Sequence, residues 1–514
     1  MKISIITALF AACIAVLPLS HAWAASTPAI ISIDTRKTLD LPTRSNFSGA
    51  NMQVFYTGTS YLDPKMQQIV QTLDLGWIRF PGGTVDDVYD WKTGDMRDDW
   101  ISQFKGTKTV AYSDFTKDVE IIRGKGLIKL EDYAAFLSTQ QTGAGSNSSP
   151  THTIGVINTF TDTPDSAAAL VLAAKKKNLH VDVWELSNEP VYFDKFYPSA
   201  QAYLQSVAPF AAAIKKADPT ARVAVYLEKQ DKWLDGMAGY KNRFWDEIYM
   251  HAYPTPPKEE TDAEKYAFYN GFLATMTNHY IDGTLLPLFG SNMKMEISEF
   301  NISALRGGMY AAMFIAEYTM RMSSDPHITQ MGMHTLIGRT NELDAAVMET
   351  TDHKQEAVDA YHAGKTIDTS HLDFGYYYAP DGLALEIING VINTSSGLWP
   401  TLVAGGDSVA TMPVGSATMP GRIPALYAQA YKSGDGKTID LLITNKSDQP
   451  QAAVIGINNQ PVKALFSTVS IGKTDPTARN TADAPETIRL HRDTVSNTVT
   501  VPPYGVMSVS WKAN

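Results

Sequence analysis

The sequence predicts an α/β protein: a (β/α)8 TIM barrel carrying a C-terminal antiparallel β-sandwich. Three observations predict it. Between residues 47 and 395, eight short apolar stretches alternate with amphipathic helical patterns, the rhythm of strand–helix units that close into a barrel. The competing arrangement, an open doubly wound sheet, usually carries a glycine-rich phosphate turn directly after a strand; "RGKGLIK" at 123–129 follows no strand and lacks the third glycine. From residue 396 onward the pattern changes to short strands of period two with Gly, Asp and Pro turns, as in "LLITNKS" and "TVTVPPYGVMSVSW".

In chain order, residues 1–24 are expected to be a signal peptide. Lys2 supplies a positive start, 3–17 an apolar run, and Ala22-Trp23-Ala24 a small-x-small cleavage site, with cutting expected after Ala24 and a secreted or periplasmic mature chain. The single cysteine, Cys13, lies inside this leader, so no disulfide, cysteine nucleophile or thiolate metal site is expected afterwards. Segment 25–46 contains "AIISIDTRK", an expected strand at 30–34 that joins the sandwich beside 441–445. Barrel strands are expected at 47–55, 75–80, 152–160, 181–186, 222–227, 248–253, 293–300 and 328–336. Helices are expected at 64–73, 130–140, 165–177, 200–216, 264–280, 308–322 and 383–392. The acidic stretch 338–378 lacks a pattern; as a long connection after the eighth strand it would lie over the barrel mouth. The barrel domain is expected to span 47–395 and the sandwich 396–514.

Composition narrows the function classes. Hydrophobic residues make up 44% of the 514 and charged residues 19%, as in a globular soluble protein. The net charge is −11 and no basic run occurs, which argues against nucleic acid and anionic membrane as partners. No apolar run after the leader is long enough to span a bilayer. No HExxH motif or dense His/Asp cluster is present and no lysine closes a strand, so neither a metal nor another cofactor is expected. Nothing in the sequence sets an oligomeric state.

Catalytic groups of a (β/α)8 barrel sit at the C-terminal ends of its strands. Glu189 closes the fourth strand in "VDVWELSNEP", and Glu299 closes the seventh in "NMKMEISEFN". Alternation puts Glu299 on one face with Met295 and Ile297, and Glu296 on the other, toward the helices and an ion pair with Lys294 or a helix lysine. Glu185 shares the face of Glu189 but lies about 13 Å lower, as a buried, paired carboxylate. Two carboxyls facing across a cleft are the equipment of glycoside hydrolysis: one protonated for the leaving oxygen, one ionised for attack on the anomeric carbon. A retaining pair stands about 5–5.5 Å apart. Gly82 and Gly83 are expected to make a tight turn at the mouth.

"GWIRFPGGT", "WELSNEP", "HAYP" and "ISEFN", in that order, resemble the glycoside hydrolases of clan A, the retaining (β/α)8 group, across 47–395. The trailing "LLITNKS…VPPYGVMSVSW" resembles the sandwich appended in families 39, 51, 30 and 79. "WELSNEP" and "RFPGG" look closest to family 79, the β-glucuronidase and heparanase-like enzymes, and to family 51, the α-L-arabinofuranosidases. The resemblance implies that Glu189 is the acid/base and Glu299 the nucleophile. It implies that Asn188 bonds the sugar 2-hydroxyl, and that Arg79 and Tyr253 donate to Glu299. His251 in "HAYP" is a candidate for the same site, and Asn51 and Asn158, at the ends of the first and third strands, are candidates for sugar hydroxyls. The expected partner is a poly- or oligosaccharide, a β-glucuronide or other β-glycoside first. An α-L-arabinofuranoside or β-xyloside, a non-catalytic sugar-binding barrel, and a carbohydrate-binding role for the sandwich are the alternatives. Tyr89, Trp91, Trp100, Tyr192, Phe193, Tyr376 and Tyr377 are candidate stacking surfaces, and Arg306 and Arg339 candidate partners of a uronate.

Overall fold

The computed structural model describes residues 27–513 apart from 40, 42–43, 55–58, 108–127, 144–148, 259, 340–342 and 352–374. The expected leader and its cleavage site, and most of the acidic stretch 338–378, lie outside the described residues.

Strand β1 (Ala29–Ile33) precedes the barrel. Eight parallel strands then close on themselves in chain order: β2 (Ser48–Asn51), β3 (Trp77–Phe80), β4 (His152–Ile157), β5 (Val181–Leu186), β6 (Val223–Tyr226), β7 (Glu247–Ala252), β8 (Met295–Phe300) and β9 (Ile328–Met333), with β9 pairing back to β2. A helix follows each: α1 (Pro64–Gln71), α2 (Leu130–Leu137), α3 (Pro164–Lys176), α4 (Ala200–Ala217), α5 (Asp231–Ala238), α6 (Asp262–Thr275), α7 (Met309–Ser323) and α8 (Pro380–Ile392). The predicted barrel is therefore present. The sequence reading missed α5, a short helix whose Gly236 weakens the pattern. The helix starts are written locally. Thr163 caps α3 at the Ser166 amide, with Pro164 in the first turn and Lys175 and Lys176 in the last; Thr261 and Glu264 form a capping box on α6.

Trp77 fills the barrel floor. It shares the inward face of β3 with Arg79, is fully buried, and its indole N–H donates to the Phe47 carbonyl at 3.1 Å. The ring fits because its neighbours on β2 and β9 are glycines. A Cβ on Gly49 would stand 2.3 Å from the indole, and one on Gly332 would stand 2.1 Å from it.

Strand β8 is irregular. Its register slips against β7 between Met250 and His251, and against β9 twice, between Met295/Glu296 and Ile297/Phe300. A bulge resets the in–out alternation. This overturns the expected placement of Glu296. Instead of facing the helices, it is fully buried, forms no ion pair with Lys294, and its charge interacts most strongly with Glu185 on β5, a strand that does not neighbour β8.

The C-terminal part is a sandwich of β10 (Ser395–Trp399), β11 (Thr401–Ala404), β12 (Leu426–Ser433), β13 (Thr438–Asn445), β14 (Gln451–Ile457), β15 (Leu465–Ile471), β16 (His491–Ser496), β17 (Thr498–Val501) and β18 (Val506–Lys512). One sheet runs β10-β12-β13-β18-β15-β16; the other is built on β11-β1-β14 with β17 beside β14. The segment 30–34 was expected beside 441–445. It pairs instead with β11 and β14, in the sheet facing β13. Ala29, Ile31 and Ile33 nevertheless share a hydrophobic core with Leu441 and Ile443. Alternation revealed which face of β1 is buried, but carries no information on which sheet receives it.

The larger sheet is covered on both sides, which explains the unbroken apolar run Leu441-Leu442-Ile443 in "TIDLLITN". Ile439, Leu441 and Ile443 of β13 face the smaller sheet, while Leu442 belongs to the barrel core. Thr444 and Lys446 reach Glu317 of α7: Thr444 Oγ1 donates at 2.7 Å and Lys446 Nζ at 2.8 Å. Glu317 and Lys446 are both buried. Burial disfavours charge on each. On Glu317 the cations Lys446 and Arg321 outweigh it and hold the carboxyl below its usual range; on Lys446 burial prevails and lowers the pKa.

Removing one partner strands the other. Lys446→Met is expected to cost about 3–5 kcal/mol in urea unfolding, with the double variant Glu317→Leu/Lys446→Met recovering most of that. A single-variant cost below about 1 kcal/mol would show that this pair does not join the sheet to the barrel.

Candidate active site

The turn after β5 carries the acid. The chain leaves the strand at Leu186 and enters left-handed backbone at Ser187 (φ 84°) and Glu189 (φ 44°), just before Pro190. Such a conformation costs a non-glycine residue about 1–3 kcal/mol, so surrounding bonds must impose it. Tyr203 Oη donates to the Leu186 carbonyl at 2.5 Å and Tyr249 Oη to the Ser187 carbonyl at 2.7 Å; Ser187 Oγ also bonds Thr159 Oγ1. Pro190 then starts a short 3-10 turn, Pro190–Tyr192. The Asn-Glu-Pro order therefore turns the backbone abruptly and leaves the Glu189 side chain at the mouth, 24% exposed.

Glu189 and Glu299 meet through His251. Its Nδ1 is 2.8 Å from Glu189 Oε1 and 3.5 Å from Glu299 Oε2, and the three contact atoms all lie within 4.8 Å of one another. The carboxylates differ sharply in their partners. Glu299 accepts from Arg79 Nη1 at 2.6 Å and from Tyr253 Oη at 2.7 Å. Burial would push its pKa up; the charges of His251, His334 and Arg79 and the Tyr253 hydroxyl outweigh burial and bring it down to about 2. Glu189 has His251 alone as a hydrogen-bond partner among the described residues. Burial opposes a charge on His251, but the carboxylates of Glu299 and Glu189 raise its pKa above the usual range.

Arg79 is fully buried and serves four acceptors. Nε lies 2.7 Å from Glu185 Oε2, Nη1 is 2.6 Å from Glu299 Oε1 and 3.1 Å from Asn51 Oδ1, and Nη2 is 3.0 Å from Asn188 Oδ1. Burial works against this charge; Glu185 and Glu299 more than restore it, so the guanidinium stays ionised. Glu185 is the buried, paired carboxylate expected from the sequence. Gly82 and Gly83, with φ of 94° and 75°, turn the chain away above Arg79.

Two candidates have other tasks. Asn51 is fully buried: its Oδ1 accepts from Arg79 and its Nδ2 donates to the Ser298 carbonyl at 2.7 Å. It positions Arg79 and has no amide atom for a sugar. Asn158 closes its own turn, accepting from the amides of Phe160 and Thr161 and donating to Thr161 Oγ1 at 2.8 Å. Asn188 gives its carbonyl to Arg79, while its Nδ2 has no partner among the described residues. Of the candidate stacking residues, Tyr89, Trp100, Phe193 and Tyr377 are buried, and Tyr192 is 47% exposed beside Glu189. Arg306 is paired with Asp344 at 2.9 Å.

Sequence reasoning missed four groups here. His334, ending β9, lies near Glu299 and edge-on to Tyr253. Glu228, just past β6, accepts from Tyr226 Oη at 3.2 Å and borders Tyr192. Asp86 and Asp87, after the glycine turn, are buried, and burial pushes both carboxyls well above the usual range; Asp87 lies near Glu189. The strand-end rule applied to β6 and β9 would have found Glu228 and His334. A cation could in principle be held by Glu189, His251 and Glu299, but Arg79 and Tyr253 already bond both oxygens of Glu299, which leaves it poorly placed as a ligand.

Arg79→Met would strand Glu185 and Glu299 in the interior. The expected loss is about 3–5 kcal/mol in urea unfolding, with part of it recovered when Glu185→Leu is added. A change under about 1 kcal/mol would contradict the role given to this guanidinium.

No protein-family profile matches the chain, and no curated protein matches it. Solved structures do. The family 51 arabinofuranosidase from Xanthomonas axonopodis pv. citri is 12% identical, covering 94% of this chain and 99% of its own, with a TM-score of 0.66. AbfB, a family 51 α-L-arabinofuranosidase from Bifidobacterium longum, is 16% identical, covering 95% and 100%, with a TM-score of 0.66. A 4-O-α-L-rhamnosyl-β-D-glucuronidase from Fusarium oxysporum 12S is 15% identical, covering 95% and 99%, at 0.55. The fold is the barrel-plus-sandwich of these clan A glycoside hydrolases, and these two family 51 structures superpose better than the glucuronidase.

Proposed function

We propose that this chain is a secreted retaining glycoside hydrolase, with Glu299 as nucleophile and Glu189 as acid/base. One observation carries the reading: two strand-end carboxylates with oxygens within 4.8 Å, one held ionised by Arg79 and Tyr253, the other partly open to solvent. An inverting pair needs about 6.5–9.5 Å to admit a water between the carboxyls.

The chemistry follows from the partners. Glu299 attacks the anomeric carbon as Glu189 gives its proton to the departing oxygen. A glycosyl ester on Glu299 results. Glu189, now ionised, takes a proton from water, which attacks the same carbon and frees Glu299. Asn188 Nδ2 is placed to donate to a sugar hydroxyl beside Glu189. His251 bridges the two carboxyls and can ease the proton change on Glu189.

The charge around the pocket favours a neutral sugar. Glu228 and Glu299 lie around Glu189, and two of the cations that reach them, Arg79 and His251, already pair with carboxylates, which leaves His334 beside Glu299. A uronate would meet repulsion there. Together with the higher TM-scores of the Xanthomonas and Bifidobacterium family 51 structures, this makes an α-L-arabinofuranoside the first substrate to test and moves the glucuronide behind it.

A panel of aryl arabinofuranosides, xylosides, glucosides and glucuronides should show turnover with a neutral sugar. With the best of them, Glu299→Ala should lose at least about 10⁴-fold in kcat, the scale on which removal of a nucleophile is felt. Glu189→Ala should keep forming the glycosyl-enzyme from a dinitrophenyl donor, and added azide should restore turnover with retained configuration. An azide product of inverted configuration would exchange the two roles. In a second test, Tyr253→Phe removes a donor to Glu299. The Glu299 pKa then rises from about 2, and the acid limb of kcat/KM should move to higher pH. An unmoved acid limb would show that Tyr253 does not hold the nucleophile ionised.

A further inference from the structure

We propose that His152, His180 and Asp182 form a binding site for zinc or a similar late first-row dication at the N-terminal end of the barrel, opposite the catalytic pocket. The fold assembles it from two neighbouring strands. His152 opens β4, His180 directly precedes β5, and Asp182 lies two residues further on. Thr153 pairs with Val181, which makes His152 and His180 cross-strand neighbours, and Ile154 pairs with Val183, so Asp182 is the extra residue of a bulge beside them.

The donor atoms converge. His152 Nδ1 is 2.9 Å from Asp182 Oδ1, His180 Nε2 is 3.3 Å from the same oxygen, and the three contact atoms lie within 4.8 Å of one another. Donors on a tetrahedral zinc with bonds of about 2.0–2.1 Å stand about 3.3 Å apart. The carboxylate is held by a further partner: its Oδ2, itself 3.1 Å from His152 Nδ1, accepts from Gln330 Nε2 of β9 at 2.6 Å. Outer bonds of this kind orient metal ligands. His180 is 62% exposed, so an ion has access from solvent and its remaining positions can hold water. Two imidazoles and one carboxylate suit zinc, nickel or copper and not magnesium or calcium.

The Asp182 carboxylate draws both imidazoles to one oxygen, at 2.9 and 3.3 Å. The ring of His180 stacks on that of His152, centroids 3.8 Å apart and 19° from parallel, with its nitrogen aimed at the same carboxylate oxygen. Stacked rings direct their in-plane lone pairs side by side, so an ion held by His152 and Asp182 would gain the third ligand by a turn of the exposed His180 ring about its side-chain bonds. The effect of the ion would be to tie the starts of β4 and β5 together, away from the chemistry.

The test uses the mature chain purified without a polyhistidine tag, dialysed against zinc chloride and assayed for bound metal and melting temperature. Wild type should retain one zinc per chain and melt at a higher temperature with zinc than without. His180→Ala, an exposed substitution, should lose the zinc and the shift while melting like the wild type in metal-free buffer. Glu299→Gln separates this site from the catalytic cluster and should retain the zinc. Failure of wild type to bind, retention by His180→Ala, or loss in Glu299→Gln would each overturn the proposal.

Discussion

One buried guanidinium organises the pocket. Arg79 reaches Glu185 on β5, Glu299 on β8, Asn51 on β2 and Asn188 in the turn after β5. Only a planar fork with fixed donor directions serves four acceptors from three strands at once; a lysine ammonium has neither the donors nor the spread. Two residues before it, Trp77 fills the floor against Gly49 and Gly332, so the strand that delivers Arg79 cannot slide without opening the floor.

Acidic groups outnumber this cation in the interior. Glu185, Glu296, Glu299 and Asp86 all sense its charge or one another's. They cannot all be ionised in so little water. The hydrogen-bond donors decide which are. Glu299 has Arg79 and Tyr253 and keeps its charge. Glu296 and Asp86 have no side-chain donor among the described residues and are held neutral by burial. The bulge in β8 makes this division necessary, because it brings Glu296 and Glu299 into the same barrel interior although they are three residues apart.

The fold was legible because periodicity is local. The eight barrel strands and the sandwich follow from apolar spacing, and the positions of Glu189 and Glu299 from the strand-end rule, with Arg79 added by the resemblance. Tyr253 and His251 came only with the resemblance, yet both stand at the nucleophile. What stayed hidden depends on long-range geometry. Glu296 was placed on the wrong face because a bulge leaves no mark in hydrophobic alternation. Segment 30–34 was assigned to the wrong sheet because alternation describes a face and not a neighbour. Asn51 looked like a sugar ligand because its strand-end position is visible, while the guanidinium that occupies it comes from another strand. His152, His180 and Asp182 looked scattered because β4 and β5 bring them together only in the barrel.

The central claim is that Arg79 and Tyr253 mark Glu299, and not its interior neighbours, as the nucleophile. The most direct measurement is to incubate the enzyme with an activated 2-deoxy-2-fluoro glycosyl donor of its preferred sugar, digest it, and locate the added mass by peptide sequencing. The account predicts a single glycosyl ester on Glu299, abolished in Glu299→Gln. A label on Glu296 or Glu189, or a donor that turns over without labelling, would contradict it.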